Sequence, residues 1–194
     1  MNKLTRSDLL SLERYAAERA AFRARVIAHK RARAVALGRH VSLLFEDRLT
    51  VQYQVQEMLR IERIFEGAGI QHELDAYNPL IPDGSNLKAT MLLEFTDAVE
   101  RARRLSGLVG VEHHVFAEVD GHARIFAQAD EDIDRSSVDK TSAVHFLRFE
   151  FPAQAILALK SGAGLSLGIE DSRLPEHTRI DDSVAAALSQ DFSG

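Results

Sequence analysis

The sequence predicts an α+β fold in which a mainly antiparallel sheet packs with helices and is preceded by a long N-terminal helix. Short apolar runs of strand length alternate with single helical stretches, and two of the runs flank an Asp-Gly turn that is typical of hairpins. The glycine-rich strand–turn–helix signature of parallel nucleotide-binding folds is absent. We therefore predict a helical arm at residues 1–38 and a single α+β domain at residues 39–194.

The N-terminal arm is predicted to be one helix. Thr5 and Asp8 have the spacing of a capping box, and Gly38 suits a helix C-terminus, which together predict a helix of about thirty residues. Small side chains dominate its apolar stripe and allow another helix to approach closely. We therefore expect this helix to lie partly on a second subunit of a homo-oligomer. The stripe comprises Leu9, Leu12, Ala16, Ala20, Ala24 and Ile27.

A second helix, Leu49–Glu66, is predicted after a short strand at His40–Glu46, with Asp47 as its N-cap. At about 100° per residue, Glu62 falls about 20° from Val51, near the middle of the apolar stripe. A buried carboxylate requires a partner, because an unpaired buried charge costs several kcal/mol. The helix therefore predicts a polar centre around Glu62. The stripe comprises Val51, Val55, Met58, Ile61 and Phe65.

The remaining elements follow from apolar spacing and from turn residues. Asp120-Gly121-His122 predicts the tip of a hairpin, because Asp-Gly favours tight primed turns. Asp130–Thr141 is polar and predicts a surface loop. The other predicted elements are a short helix through Ile70, Leu74 and Tyr77, strands at Ala89–Phe95, His113–Val119, Ala123–Ala129, Ala143–Phe151 and Leu165–Ile169, and helices at Thr96–Leu108, Pro152–Gly162 and Ser183–Leu188.

Composition excludes several functions. The chain has no cysteine, which excludes disulfides, thiol catalysis and thiolate metal sites. The net charge is −5, yet residues 1–40 carry ten Lys or Arg against three Asp or Glu. This basic arm raises the hypothesis of nucleic-acid binding, but the absence of interleaved aromatics and the acidic remainder favour contact with the acidic body or a second subunit. Neither a signal peptide nor a membrane span is evident, so we expect a cytoplasmic protein with no membrane partner.

Four long segments together resemble a known bacterial family. They are HKRARAVALG, SLLFEDRLTVQYQVQEMLRIERI, ELDAYNPLIPDGSNLKATMLLEF and DKTSAVHFLRFEF. The chain resembles, from Leu4 to Gly168, the family catalogued as domain of unknown function 3501. The resemblance implies no catalytic residue. It does imply a redox or peroxide-defence context and a redox or iron-protein partner, because genes of that family lie beside those of rubrerythrin-like proteins and of iron–sulfur proteins of the heterodisulfide-reductase type.

A candidate polar centre combines carboxylates, histidines and arginines on the second helix, the next helix and one strand. Strand alternation places His145 on an apolar face with Leu147 and Phe149, and Arg148 on the opposite face. Carboxylate and imidazole groups suit a divalent metal, for which Glu62, His72 and His145 are the candidate ligands. The alternative is that Glu62 forms a buried ion pair with an Arg or a His. The candidate residues are Glu57, Arg60, Glu62, His72, His145 and Arg148.

Other motifs fail at decisive positions. The acidic run that begins at Asp130 resembles half of a calcium loop, but Arg135 and Thr141 replace the required glycine and glutamate. His113 and His114 are neighbours on a predicted strand and would point to opposite faces. No P-loop, Gly-x-Ser-x-Gly elbow, His-Glu-x-x-His or Glu-x-x-His metal motif is present.

These observations predict a non-catalytic accessory or interaction protein in a redox or peroxide-related system, acting as a homo-oligomer. The alternative is an enzyme, or a protein that binds a small ligand or a metal, with a carboxylate–histidine site on the second helix and a strand. Nucleic-acid binding through the basic arm is a third hypothesis.

Overall fold

Residues 2–129 and 141–193 are described by the computed structural model, and they form an α+β fold with two antiparallel sheets, which confirms the predicted class. The helices are α1 (Leu12–Arg31), α2 (Arg48–Glu62), α3 (Gly67–Tyr77), α4 (Ala98–Gly107), α5 (Ala153–Lys160) and α6 (Asp182–Ser189). The strands are β1 (Ala34–Leu37), β2 (Val41–Phe45), β3 (Asn86–Leu93), β4 (Val115–Val119), β5 (Ile125–Phe126), β6 (Gln128–Ala129), β7 (Val144–Glu150), β8 (Leu165–Ile169) and β9 (Glu176–Arg179). None of the helices within these ranges combines the length and the apolar character needed to cross a membrane.

The first sheet has the strand order β1-β2-β3-β7-β6, and the second has the order β5-β4-β8-β9. Alternate side chains of β2 and β7 are buried, as the period of a strand requires, and apolar side chains of β2, β3 and β7 join β4 and β8 in one main core. A smaller core lies among the helices and includes Val51, Val55 and Leu74. We call the face of the first sheet that is turned away from the main core its outer face; it carries Lys88 and Arg148.

The N-terminal helix is shorter than predicted. The Thr5–Asp8 capping box exists, but it closes only a 3-10 turn, and Ser11 caps α1. The helix ends at Arg31 because the next residues form β1, whose hydrogen bonds to β2 replace a further helical turn. Gly38, with φ 61°, lies in the hairpin turn between these strands instead of ending a helix. The predicted domain boundary at residue 38 falls in this same turn.

Helix α2 begins as predicted, since Asp47 accepts hydrogen bonds from the backbone of Leu49 and Thr50. It ends four residues early, because Arg63 adopts a left-handed conformation with φ 55°. The buried stripe runs through Val51, Val55 and Leu59.

The buried face of α2 also includes Gln56. The buried side-chain amide of Gln56 accepts a hydrogen bond from the backbone N–H of Leu10 at 2.6 Å and donates one to the backbone carbonyl of Leu10 at 3.3 Å. Ile61, Glu62 and Phe65 are exposed in consequence, so the predicted burial of Glu62 is wrong.

The predicted hairpin is confirmed, with Phe116 paired to Phe126 and Gly121 in the turn at φ 80°. The run Ala123–Ala129 is not one strand, however, because β5 pairs in the second sheet and β6 in the first. His113 and His114 lie in a 3-10 turn before β4, and both are exposed. The prediction that they lie on a strand and point to opposite faces is therefore wrong. The predicted loop and the calcium-like run lie almost wholly in residues 130–140, outside the described residues.

Candidate functional site

The predicted polar centre does not assemble as one site. Glu57 and Arg60 contact each other on α2, whereas Glu62 and His72 are both exposed. His145 is buried on the core side of β7, and Arg148 lies on the outer face of the same strand, as the alternation predicted. Within residues 2–129 and 141–193, no group of three His, Cys, Asp or Glu side chains has an arrangement that suits a metal ion. Glu62, His72 and His145 therefore do not form the predicted ligand set.

Glu57, one of the residues of the predicted polar centre, joins α1 to α2. Its carboxylate accepts hydrogen bonds from Arg19 at 2.7 and 2.8 Å and from the Tyr15 hydroxyl at 2.7 Å. Arg60 contributes a further contact at 3.2 Å. The hydrogen bonds from Arg19 lower the pKa of Glu57 to about 2, against the opposing effect of burial. These contacts hold two helices together and indicate a structural role.

Acid should weaken this helix pair. The pKa of Glu57 lies below its unfolded value of 4.5, so its contribution is complete above pH 4.5 and is lost as pH falls toward 2. Between pH 7 and pH 3 we expect the parent to lose about 2 kcal/mol more unfolding free energy than Glu57→Gln, measured by urea denaturation. Glu62→Gln, an exposed carboxylate on the same helix, is the matched control and should follow the parent. Parallel pH profiles for the parent and Glu57→Gln would contradict this role.

His145 belongs to a buried cluster with Glu112 and Thr141. The Thr141 hydroxyl lies 2.9 Å from His145 Nε2, and the nearest oxygen of Glu112 lies 3.9 Å from the same nitrogen. A relay for nucleophilic catalysis requires the carboxylate on the other ring nitrogen and an accessible hydroxyl. Thr141 is buried, so this cluster is better explained as an anchor for the start of β7.

A second buried cluster, which sequence reasoning missed, joins the end of α1 to the C-terminal region. The Arg33 guanidinium donates to Asp191 and lies 3.6 Å from Asp47, while His29 contacts Asp47 at 2.5 Å. Burial raises the pKa of Asp191 to about 6, although Arg33 favours its ionised form. In sequence, Arg33 is one of several cations near a helix end, and nothing local distinguishes it from Lys30.

A pocket of about 260 Å³ lies on the outer face of the first sheet. Glu46, which directly follows β2, lines it and is only 2% exposed. Its carboxylate accepts hydrogen bonds from the hydroxyls of Thr90 at 2.8 Å and Thr50 at 2.5 Å, and from the Gln54 amide at 3.3 Å. Sequence reasoning assigned Glu46 only to the end of a strand. The only local sign of a special position was that a carboxylate residue ends the apolar run of this strand.

Basic side chains also line this pocket. Lys88 on β3 and Arg148 on β7 are register partners on adjacent strands. Burial lowers the pKa of Lys88, and its ammonium donates to the carbonyl of Pro79. Arg148 contacts Glu150 at 2.6 Å and also donates to Gln128. The pocket thus combines a buried acceptor with cationic donors, which allows it to orient a small polar molecule.

A different surface, at the junction of α2 and α3, is apolar. Ile61 is 60% exposed and Phe65 is 69% exposed. Phe65 is also one of the residues that line a groove of about 350 Å³, together with other apolar side chains and with Arg6, Ser11 and Glu13. We call Ile61, Phe65 and this groove the junction surface. The apolar lining residues are Leu9, Leu10, Leu12, Leu59, Ile64, Phe65 and Ile70.

Comparison with known proteins defines the family. The family described as Protein of unknown function (DUF3501) matches residues 3–192. The chain belongs to this family. A crystal structure of a protein of unknown function from Burkholderia pseudomallei is similar to this DUF3501 chain, with 52% identity and a TM-score of 0.94. That similarity covers 99% of this chain and 100% of the other. No curated protein matches the DUF3501 chain.

Proposed function

We propose that this protein is a non-catalytic interaction protein that self-associates through the junction surface. The observation that carries the proposal is the exposure of two large apolar side chains, Ile61 and Phe65, the second of which lines a largely apolar groove. Exposed apolar surface of this kind marks contact sites, because removing it from water is favourable. Burying one such side chain contributes about 1.5–3 kcal/mol.

Two further features favour a second copy of the chain as the partner. Ala16, Ala20 and Ala24 on α1 are exposed, so another helix has room to approach closely. Residues 1–40 are strongly basic, whereas the chain as a whole is acidic. The basic region of one copy therefore complements the acidic body of another, and opposite charges steer association.

We further propose that the assembled protein serves a redox or peroxide-related system, with a redox or iron protein as its partner. The support is the gene context that the family resemblance implies. Because this chain has no cysteine, any thiol chemistry in such a system would belong to the partner.

The test is Phe65→Asp. Light scattering at micromolar concentration should give an oligomer mass for the parent, and Phe65→Asp should weaken the association at least about tenfold, because a carboxylate cannot be buried in an apolar contact. Leu157→Asp is the matched control, since Leu157 on α5 is 65% exposed, outside the junction surface, and should leave the mass unchanged. A monomeric parent, or equal weakening by both variants, would contradict the proposal.

A further inference from the structure

Glu46 differs from the other buried carboxylates of the chain. Within the part of the chain that the structure describes, Asp47 and Asp191 both face Arg33, Glu112 faces His145, and Asp171 faces Arg173. Arg33 reaches only the backbone carbonyl of Glu46, at 3.2 Å. The Glu46 carboxylate has no Lys, Arg or His nitrogen within 4.0 Å among the same residues, and its three hydrogen-bond donors are neutral. A buried charge without a counter-charge costs free energy, so binding of a cationic group from outside the chain next to Glu46 would be favourable.

The space for such a group is next to Glu46. The pocket of about 260 Å³ is lined by Glu46 and by Leu80 and Phe146, which supply apolar walls. Pockets for drug-sized ligands have volumes of about 300–1,000 Å³, so this pocket suits a smaller metabolite. An ammonium group seated here would meet a desolvated carboxylate that Thr50 and Thr90 already orient.

The same pocket has donors for an anion. An ammonium has three N–H donors, and Lys88 is seen to use one of them, on the carbonyl of Pro79. Arg148 has five N–H donors, and the contacts to Glu150 and Gln128 leave further donors for a carboxylate.

Two other carboxylates lie near these cations, and both already have donors. Asp83 accepts from Ser85 at 3.0 Å and from Asn86 at 2.8 Å. Glu150 accepts from Asn86 at 3.0 Å and from Arg148 at 2.6 Å.

We propose that the outer-face pocket binds a small zwitterion of amino-acid type. Its ammonium group pairs with Glu46, its carboxylate pairs with Lys88 and Arg148, and its carbon skeleton packs against Leu80 and Phe146. This site is separate from the junction surface and does not depend on self-association.

The experiment uses the full chain and calorimetric titration with defined probes. The probes are the protein amino acids, β-alanine and 4-aminobutyrate, with butylamine and butyrate as half-probes that carry only one of the two charged groups. We expect at least one zwitterion to bind, and each matching half-probe to bind at least about tenfold more weakly, because it forms only one of the two ion pairs.

Variants then assign the two ends of the site. Glu46→Gln keeps the shape and an acceptor but removes the charge, and Arg148→Gln removes the cation from an exposed side chain, so each should weaken the zwitterion at least about tenfold. Arg104→Gln, an exposed arginine on α4, is the control and should bind like the parent. If Glu46→Gln does not fold, Arg148→Gln and the half-probes carry the test. Binding of no zwitterion, equal binding of a half-probe, or binding that is unchanged in Arg148→Gln would overturn the proposal.

Discussion

Replacing Arg33 with alanine is expected to destabilise the protein by about 3–5 kcal/mol, because it removes the guanidinium that faces two buried carboxylates. Arg33 and Asp191 are each only 3% exposed, and Asp47 lies 3.6 Å from the same guanidinium. Arg33 also donates to the carbonyl of Phe45 at 3.1 Å and to that of Glu46 at 3.2 Å, and these acceptors would lose their partner. Urea denaturation at pH 7 is the measurement.

The control for this prediction is Arg14→Ala. Arg14 and Glu18 form an exposed pair at 2.8 Å on α1, and such pairs contribute only about 0.3–0.5 kcal/mol. Adding Asp191→Asn to Arg33→Ala should recover part of the lost stability, because it removes one of the stranded charges. If Arg33→Ala were as mild as Arg14→Ala, the cluster could not be what joins the end of α1 to the C-terminal region.

Phe149→Ala should cost about 3–5 kcal/mol of unfolding free energy, the range seen when a large buried aromatic side chain is truncated. Phe149 is fully buried in the main core and packs on Phe45 with ring centroids 6.3 Å apart. Truncation removes this contact and leaves a cavity in the core. The cavity cannot close by a shift of β7, because β7 is paired with β3 on one side and with β6 on the other.

Phe65→Ala serves as the matched control, because it deletes the same side chain at an exposed position. Its effect on the unfolding free energy, measured at low protein concentration, should stay below about 1 kcal/mol. Equal destabilisation by the two variants would mean that the alternation of β7 had been assigned to the wrong faces.

Local sequence signals determined much of this protein. The alternation in β7 correctly separates His145, Leu147 and Phe149 from Arg148, because strand geometry sends successive side chains to opposite faces. The Asp47 cap and the turn at Gly121 are likewise set by neighbouring backbone groups, within a few residues of the side chain that specifies them. Family membership also followed from the sequence, since long segments carry the resemblance.

Tertiary structure decided the rest, because burial depends on what an element packs against. The rotation of α2 is set by Gln56 bonding to Leu10, far away in sequence, and this contact leaves Glu62 in solvent. Likewise, α1 stops at Arg31 because β1 gains strand partners in β2. Arg33 and Asp191 meet across 158 positions, and Glu46 becomes a buried carboxylate only when α2 and β3 surround it. No short-range pattern encodes these contacts, since each results from long-range packing.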